Sequence, residues 1–184
     1  MIINKFKNKK VLITGHTGFK GSWLTLFLKI AGAKIMGISL KPSTKPSFFK
    51  AINLSMGIRN NYINILNRRK LENKIISFKP DFIFHLAAQP LITEAYTKSF
   101  LTWETNLIGT INILEIIKKL KKSCTCVLIT SDKCYENIEK RSGYKETDRI
   151  GGSDPYSASK ASAEIAIKSY FQSFFIKSNH RIAT

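Results

Sequence analysis

The sequence predicts an α/β protein: a parallel sheet with helices on both faces. Three observations predict it. Short apolar runs alternate with stretches of helical periodicity along the 184 residues. The runs are apolar at consecutive positions, as strands covered on both faces are. A turn with glycine at every third residue, TGHTGFKG, joins the first run to the first helical stretch.

The elements follow in order. Residues 10–14 (KVLIT) read as a buried strand, and after the glycine turn Leu24, Phe27, Leu28 and Ala31 recur at i, i+3, i+4 and i+7, one face of a helix that Gly32 stops. Residues 34–40 form a second strand, Ile63 and Ile65 mark a short third, and 81–86 (DFIFHL) are the fourth. Leu107, Ile111, Leu114 and Ile117 make the next helix face, closed by Lys118, Lys119, Lys121 and Lys122, cations that suit the negative end of a helix. Residues 125–130 (TCVLIT) are a fifth strand. The last helix opens at Asp154-Pro155, a capping carboxylate followed by proline at the first helical position. This is the doubly wound, Rossmann-type order, incomplete at the C-terminus, where RIAT stands at the expected start of a sixth strand. Residues 1–184 read as one domain with a basic leader over 1–8. Two long polar connections, 41–61 and 135–153, are candidates for function.

Composition narrows the classes. A hydrophobic content of 43% supports one sizeable core. The net charge of +18 comes mostly from lysines spread between Lys5 and Lys177 and not gathered on one element. It reads as a solvated surface whose field suits an acidic substrate, with no nucleic-acid partner expected. The run VLIT after the leader is too short for a signal peptide, and Lys29 and Lys34 interrupt the best candidate for a membrane span, so no membrane association is expected. Cys124, Cys126 and Cys134 fit neither a zinc site nor a disulfide framework and read as buried thiols of a cytoplasmic protein, with no metal expected.

The glycine turn carries the first chemistry. Glycines let the chain turn tightly and bring backbone N–H groups up to a pyrophosphate at a helix N-terminus. Gly15, Thr17, Gly18, Phe19 and Gly21 are the candidate contacts. At the end of the second strand stand Ser39, Leu40 and Lys41. A carboxylate there would select NAD and a cation NADP, so this local chemistry leaves the choice open. The second constellation is Tyr156 and Lys160, one helical turn apart, with Ser131 after the fifth strand. An ammonium beside a phenol lowers its pKa and makes it usable as a base, and active groups of such sheets gather at the strands' carboxyl ends.

The stretches GHTGFKGSWL, HLAAQPL, TSDKCY and GGSDPYSASK together resemble the extended short-chain dehydrogenase/reductase family, and within it the CDP-glucose 4,6-dehydratases. The resemblance implies a tightly held NAD, transient oxidation of the sugar at C4, loss of water across C5 and C6, and hydride return to C6 of CDP-glucose. It assigns oxidation to Ser131, Tyr156 and Lys160, and makes Asp132 the acid for the departing C6 hydroxyl, a role that needs a raised pKa. Lys133 stands where related dTDP-glucose dehydratases carry an acidic C5 base. It acts either as a neutral base or by orienting a water or stabilising the enolate. Ala87, Ala88 and Gln89 are placed along the cofactor ribose and nicotinamide, and Asn106 behind the active-site helix. Asn64, with Ile65, falls where the family has an Asp contacting adenine, and Asn keeps one acceptor oxygen.

Other readings stay open. A dTDP-glucose dehydratase, an epimerase or a ketoreductase of the same superfamily is one class, although epimerisation needs no acid for a leaving hydroxyl and Asp132 argues against it. A non-catalytic dinucleotide-binding module is another, and Ser131, Tyr156 and Lys160 argue against that. The family's chains are longer, and their C-terminal part supplies most of the nucleotide-sugar site. The sequence therefore reads as a fragment without that part, inactive in isolation, from an enzyme expected to be a homo-oligomer at full length.

Overall fold

The computed structural model describes residues 2–184, so Met1 of the expected leader lies outside the described residues. The rest of the leader forms a 3₁₀ turn, Ile2–Phe6, and Phe6 packs beneath the sheet against Phe82, with ring centroids 5.1 Å apart. The strands are β1 (Lys10–Thr14), β2 (Lys34–Ser39), β3 (Arg59–Tyr62), β4 (Phe82–His85), β5 (Thr125–Leu128) and β6 (Arg181–Ala183). All pair in parallel, in the order β3-β2-β1-β4-β5-β6. The expected sixth strand is therefore present, built from RIAT. The order reverses between β1 and β4, so the binding crevice of such a sheet lies beyond their carboxyl ends.

The helices are α1 (Phe19–Ile30), α2 (Phe48–Ala51), α3 (Arg68–Phe78), α4 (Ile92–Thr97), α5 (Ser99–Trp103), α6 (Gly109–Lys119) and α7 (Pro155–Tyr170). A π-helical turn, Glu104–Ile108, links α5 to α6. Successive β1 residues feed opposite layers of the core. Leu12 joins Ile83, Ile113, Leu114 and Ile117, whereas Val11 and Ile13 join Leu28 and Ile35. Among the described residues, no helix is long and apolar enough to cross a membrane. All three cysteines are free and buried.

Two expectations are corrected. The face of α1 that meets the sheet is Gly21, Ser22, Thr25 and Leu28, while Phe27 is 41% exposed. Small residues take the sheet side because the helix must start against the backbone of the glycine turn. The third strand is not at Ile63 and Ile65 but just before them, in the polar segment RNNY. As an edge strand it needs little apolar surface. Asn60 Oδ1 lies 2.7 Å from Nε2 of the buried His16 ring, so a polar pair takes the place of an apolar contact. Ile65 is buried in the core beyond the strand.

Candidate active site

The glycine turn is shaped by backbone contacts. Gly15 has φ +73° and sits so close to β4's continuation that a Cβ would lie 2.7 Å from the Ala87 nitrogen. Its N–H donates to the Ile38 carbonyl at 2.8 Å, tying the turn to β2. A Cβ on Gly21 would lie 2.1 Å from the Gly15 carbonyl oxygen, so α1 begins where only hydrogen fits. Gly18 is the N-cap of α1 and offers no side chain to its first-turn N–H groups, which leaves them for an anion. Thr17 Oγ1 donates to the Leu40 carbonyl at 3.0 Å and lies 2.8 Å from Ser39 Oγ. Phe19, at the first helical position, is largely exposed.

Beyond β5 the chain enters a 3₁₀ turn, Asp132–Cys134, capped by the Ser131 hydroxyl, which accepts from Lys133 N at 3.2 Å and donates to Asp132 Oδ1 at 3.1 Å. This turn packs against α7. Asp154 caps α7 by accepting from Tyr156 N at 2.9 Å and Ser157 N at 3.0 Å. Burial pushes the Asp154 carboxyl up, but the bonds from Ser157 and Tyr156 and the charge of Lys133 outweigh it and hold the group below its ordinary value. Asp154→Ala is expected to cost about 1 kcal/mol, read as a lower unfolding midpoint. Tyr156 is half-buried. Lys160, one turn on, is 6% exposed, and its ammonium donates to the Ile129 carbonyl at 3.1 Å. Burial draws its pKa down to about 8 against the opposing charge of Glu164, and Lys20 from the glycine turn's helix lowers it further. The structure thus brings the 131–134 turn and the Tyr156–Lys160 helix together, with Asp132 and Lys133 exposed on the outer side.

The connection 135–153 folds back on this cluster. Tyr135 bridges to Ile150, Gly151 N donates to the Cys134 carbonyl at 2.9 Å, and the Tyr135 and Tyr144 rings stack with centroids 5.5 Å apart. A recess of about 280 Å³ opens beside the cluster, lined by Glu136, Asn137 and Arg149 to Ser153.

Asn106, on the π turn, accepts from Gln89 N at 2.8 Å and donates to the Gln89 carbonyl at 3.2 Å and to Ser159 Oγ at 2.9 Å. It clamps the segment Ala87-Ala88-Gln89 to α7. Asn64 and Ile65 part company: Asn64 is exposed and its side chain accepts from Leu66 N at 2.9 Å, while the Ile65 side chain belongs to the core and packs on Gly109. Sequence reasoning missed His85, fully enclosed between Thr14 and Thr110, whose pKa burial and the Lys160 charge lower to about 3. The available signal was a histidine inside an otherwise apolar strand, DFIFHL, which must find partners for both ring nitrogens.

A sequence model of the family described as GDP-mannose 4,6 dehydratase matches residues 12–182, from β1 into β6. The chain belongs to the GDP-mannose 4,6 dehydratase family. All four motifs that carried the resemblance lie inside the matched residues. In keeping with this dehydratase family, the chain is 43% identical over 177 residues to CDP-glucose 4,6-dehydratase of Salmonella typhimurium, covering 96% of this chain and 49% of that protein. It is 30% identical to dTDP-D-glucose 4,6-dehydratase of Dictyostelium discoideum, over 90% of this chain and 41% of the relative. Among solved structures, UDP-glucose 4-epimerase of Thermus thermophilus in complex with NAD superposes with a TM-score of 0.76 at 25% identity, over 90% of this chain and 51% of that one. The chain spans about half the length of the curated relatives it matches.

Proposed function

We propose that this chain supplies the cofactor-binding and catalytic part of a nucleotide-sugar 4,6-dehydratase that converts CDP-glucose to CDP-4-keto-6-deoxyglucose with bound NAD. The observation that carries this reading is the Ser131-Asp132-Lys133 turn packed on the helix of Tyr156 and Lys160. Oxidation alone has no use for the extra carboxylate and ammonium. The similarity to the Salmonella CDP-glucose enzyme supports the choice of substrate.

The residues fit NAD. The Gly15 and Gly21 positions leave a cradle that a Cβ would fill, at the uncapped N-terminus of α1. Gly15, Thr17, Gly18, Phe19 and Gly21 would hold the pyrophosphate, Asn64 the adenine side, and Ala87, Ala88 and Gln89 the ribose and nicotinamide side; the Ile65 side chain is turned into the core, and Asn106 supports Gln89 from behind. NAD supplies a hydride acceptor at the first step and a donor at the last.

The chain's own groups handle the protons. Ser131 orients the C4 hydroxyl, and Tyr156 takes its proton, aided by the Lys160 ammonium. The resulting C4 ketone acidifies the C5 proton, which leaves to Lys133 in its neutral form or to a water that the Lys133 ammonium orients while it stabilises the enolate. Asp132 gives its proton to the C6 hydroxyl, which departs as water. After hydride return to C6, a proton returns to C5 and C4 stays a ketone; Tyr156 then releases the proton it took to solvent and Asp132 regains one, so both groups are reset.

In the whole protein, CDP-glucose is expected to yield a 4-keto-6-deoxy product detectable by its absorbance in alkali. Asp132→Asn should oxidise C4 yet stall before water loss, so reduced cofactor accumulates on the enzyme. Normal turnover by Asp132→Asn would remove the acid role, and no product from CDP-glucose with NAD bound would sink the reading as a whole.

A further inference from the structure

The polar contacts around His85 form a network in which every proton has one place to go. Thr110 Oγ1 donates to the Asn106 carbonyl at 2.7 Å. Its single hydrogen is then used, so at 3.2 Å from His85 Nε2 it must accept. Nε2 therefore carries the ring hydrogen and Nδ1 is bare. On the other side, Thr14 Oγ1 lies 2.7 Å from Nδ1 and accepts the Ala87 N–H at 3.2 Å. Its own hydrogen points to Nδ1, the acceptor this tautomer provides. The chain continues past Asn106, whose two amide hydrogens go to the Gln89 carbonyl and Ser159 Oγ, and Ser159 in turn donates to the Tyr156 carbonyl at 2.7 Å.

The network therefore begins at Thr14, the residue before Gly15, and ends on the backbone of Tyr156. It crosses β1, β4, α6, the π turn and α7. Thr14 and His85 are buried, as are Thr110, Asn106 and Ser159, so no water competes for these bonds. We propose that His85, locked as the Nε2–H tautomer, is a positioning residue that sets the Ala87–Gln89 segment and the Tyr156–Lys160 helix relative to the glycine turn. This rests on the reading of that crevice as an NAD site. Protonating Nδ1 would turn Thr14 from donor to acceptor and leave its own buried hydrogen without a partner, so the ring is built to stay neutral. Its pKa of about 3 agrees.

Two measurements on the whole protein that contains this chain test the proposal. Isotope-labelled histidine spectra, with His85 assigned by its loss in His85→Gln, are expected to show a protonated Nε2 and a bare Nδ1 unchanged between about pH 8 and about pH 5. A bare Nε2, or titration within that range, overturns the tautomer and the network with it. Calorimetry with NAD should show Thr110→Val binding about tenfold more weakly than the unsubstituted protein, with Thr110→Ser restoring affinity. A merely structural role predicts a lower unfolding temperature for Thr110→Val with NAD affinity within about twofold of the parent, and that result removes the positioning role. An unsubstituted protein that shows the Nε2–H spectrum but does not bind NAD would overturn the cofactor reading and the positioning role together, leaving the tautomer in place.

Discussion

Gly21→Ala is expected to collapse the glycine turn, lowering stability by about 3 kcal/mol and abolishing NAD binding. The added Cβ would lie 2.1 Å from the Gly15 oxygen, 2.8 Å from the Gly15 carbonyl carbon and 2.9 Å from His16 Cα, all backbone atoms. None can step aside cheaply. Gly15 is held by its bond to Ile38 and by the contact with Ala87, and Gly18 N donates back to the Gly15 oxygen at 3.1 Å. Relief requires α1 to move off the turn, which also uncovers Ser22, Thr25 and Leu28 on its sheet side. In a chain of this length the loss corresponds to roughly 6–12 °C in the unfolding midpoint. Gly18→Ala is the control for stability alone: its Cβ would meet only the Gly15 oxygen at 3.4 Å, so a small change in the unfolding midpoint is expected. Thermal unfolding of both variants and NAD calorimetry of Gly21→Ala check the argument. A Gly21→Ala chain with the parent's midpoint would show that the turn is looser than its contacts imply.

Lys160→Met is expected to make the protein more stable at neutral pH while removing turnover from the whole enzyme. The Lys160 pKa falls from 10.5 to about 8 because burial penalises its charge, with Glu164 opposing and Lys20 reinforcing the fall. Between those two values the unfolded chain binds the proton that the folded chain has lost, so native stability rises with pH across that window. Below about pH 8 the full penalty is present, about 3 kcal/mol by linkage. Losing the ammonium's bond to the Ile129 carbonyl returns about 1 kcal/mol of that. A net gain of about 2 kcal/mol at pH 7 is therefore expected, falling as pH rises from about 8 and turning into a loss of about 1 kcal/mol past about 10, where only the missing bond remains. Urea unfolding of parent and variant across this range gives the comparison. Destabilisation at pH 7 would mean that the buried ammonium is fully compensated. The gain would also mark Lys160 as a group retained for chemistry at a cost in stability.

The fold class was legible because its signals are local. The KVLIT run, the glycine spacing and the Asp154-Pro155 start each depend on residues within a few positions of one another, where sterics and hydrogen bonding act directly. RIAT was legible as the start of a strand for the same reason, and the fold pairs it with β5. β3 was not, because RNNY lacks the apolar pattern of a strand and its inward Asn60 is satisfied by His16, 44 residues away. That ring in turn needs Gly37, where a Cβ would lie 2.4 Å from it, so a glycine inside β2 answers to a side chain in another element.

The sequence by itself determined the doubly wound order, the glycine turn and the presence of Ser131, Tyr156 and Lys160 at the ends of elements that such a sheet gathers at one edge. Only the tertiary structure decided how polar groups pair across it. His85 meets Thr14 across 71 positions and Thr110 across 25, and Asn106 reaches Ser159 across 53. Lys160 loses much of its basicity only where the fold removes water from it. Hydrogen-bond partners and desolvation are properties of position in space, and chain spacing does not encode them.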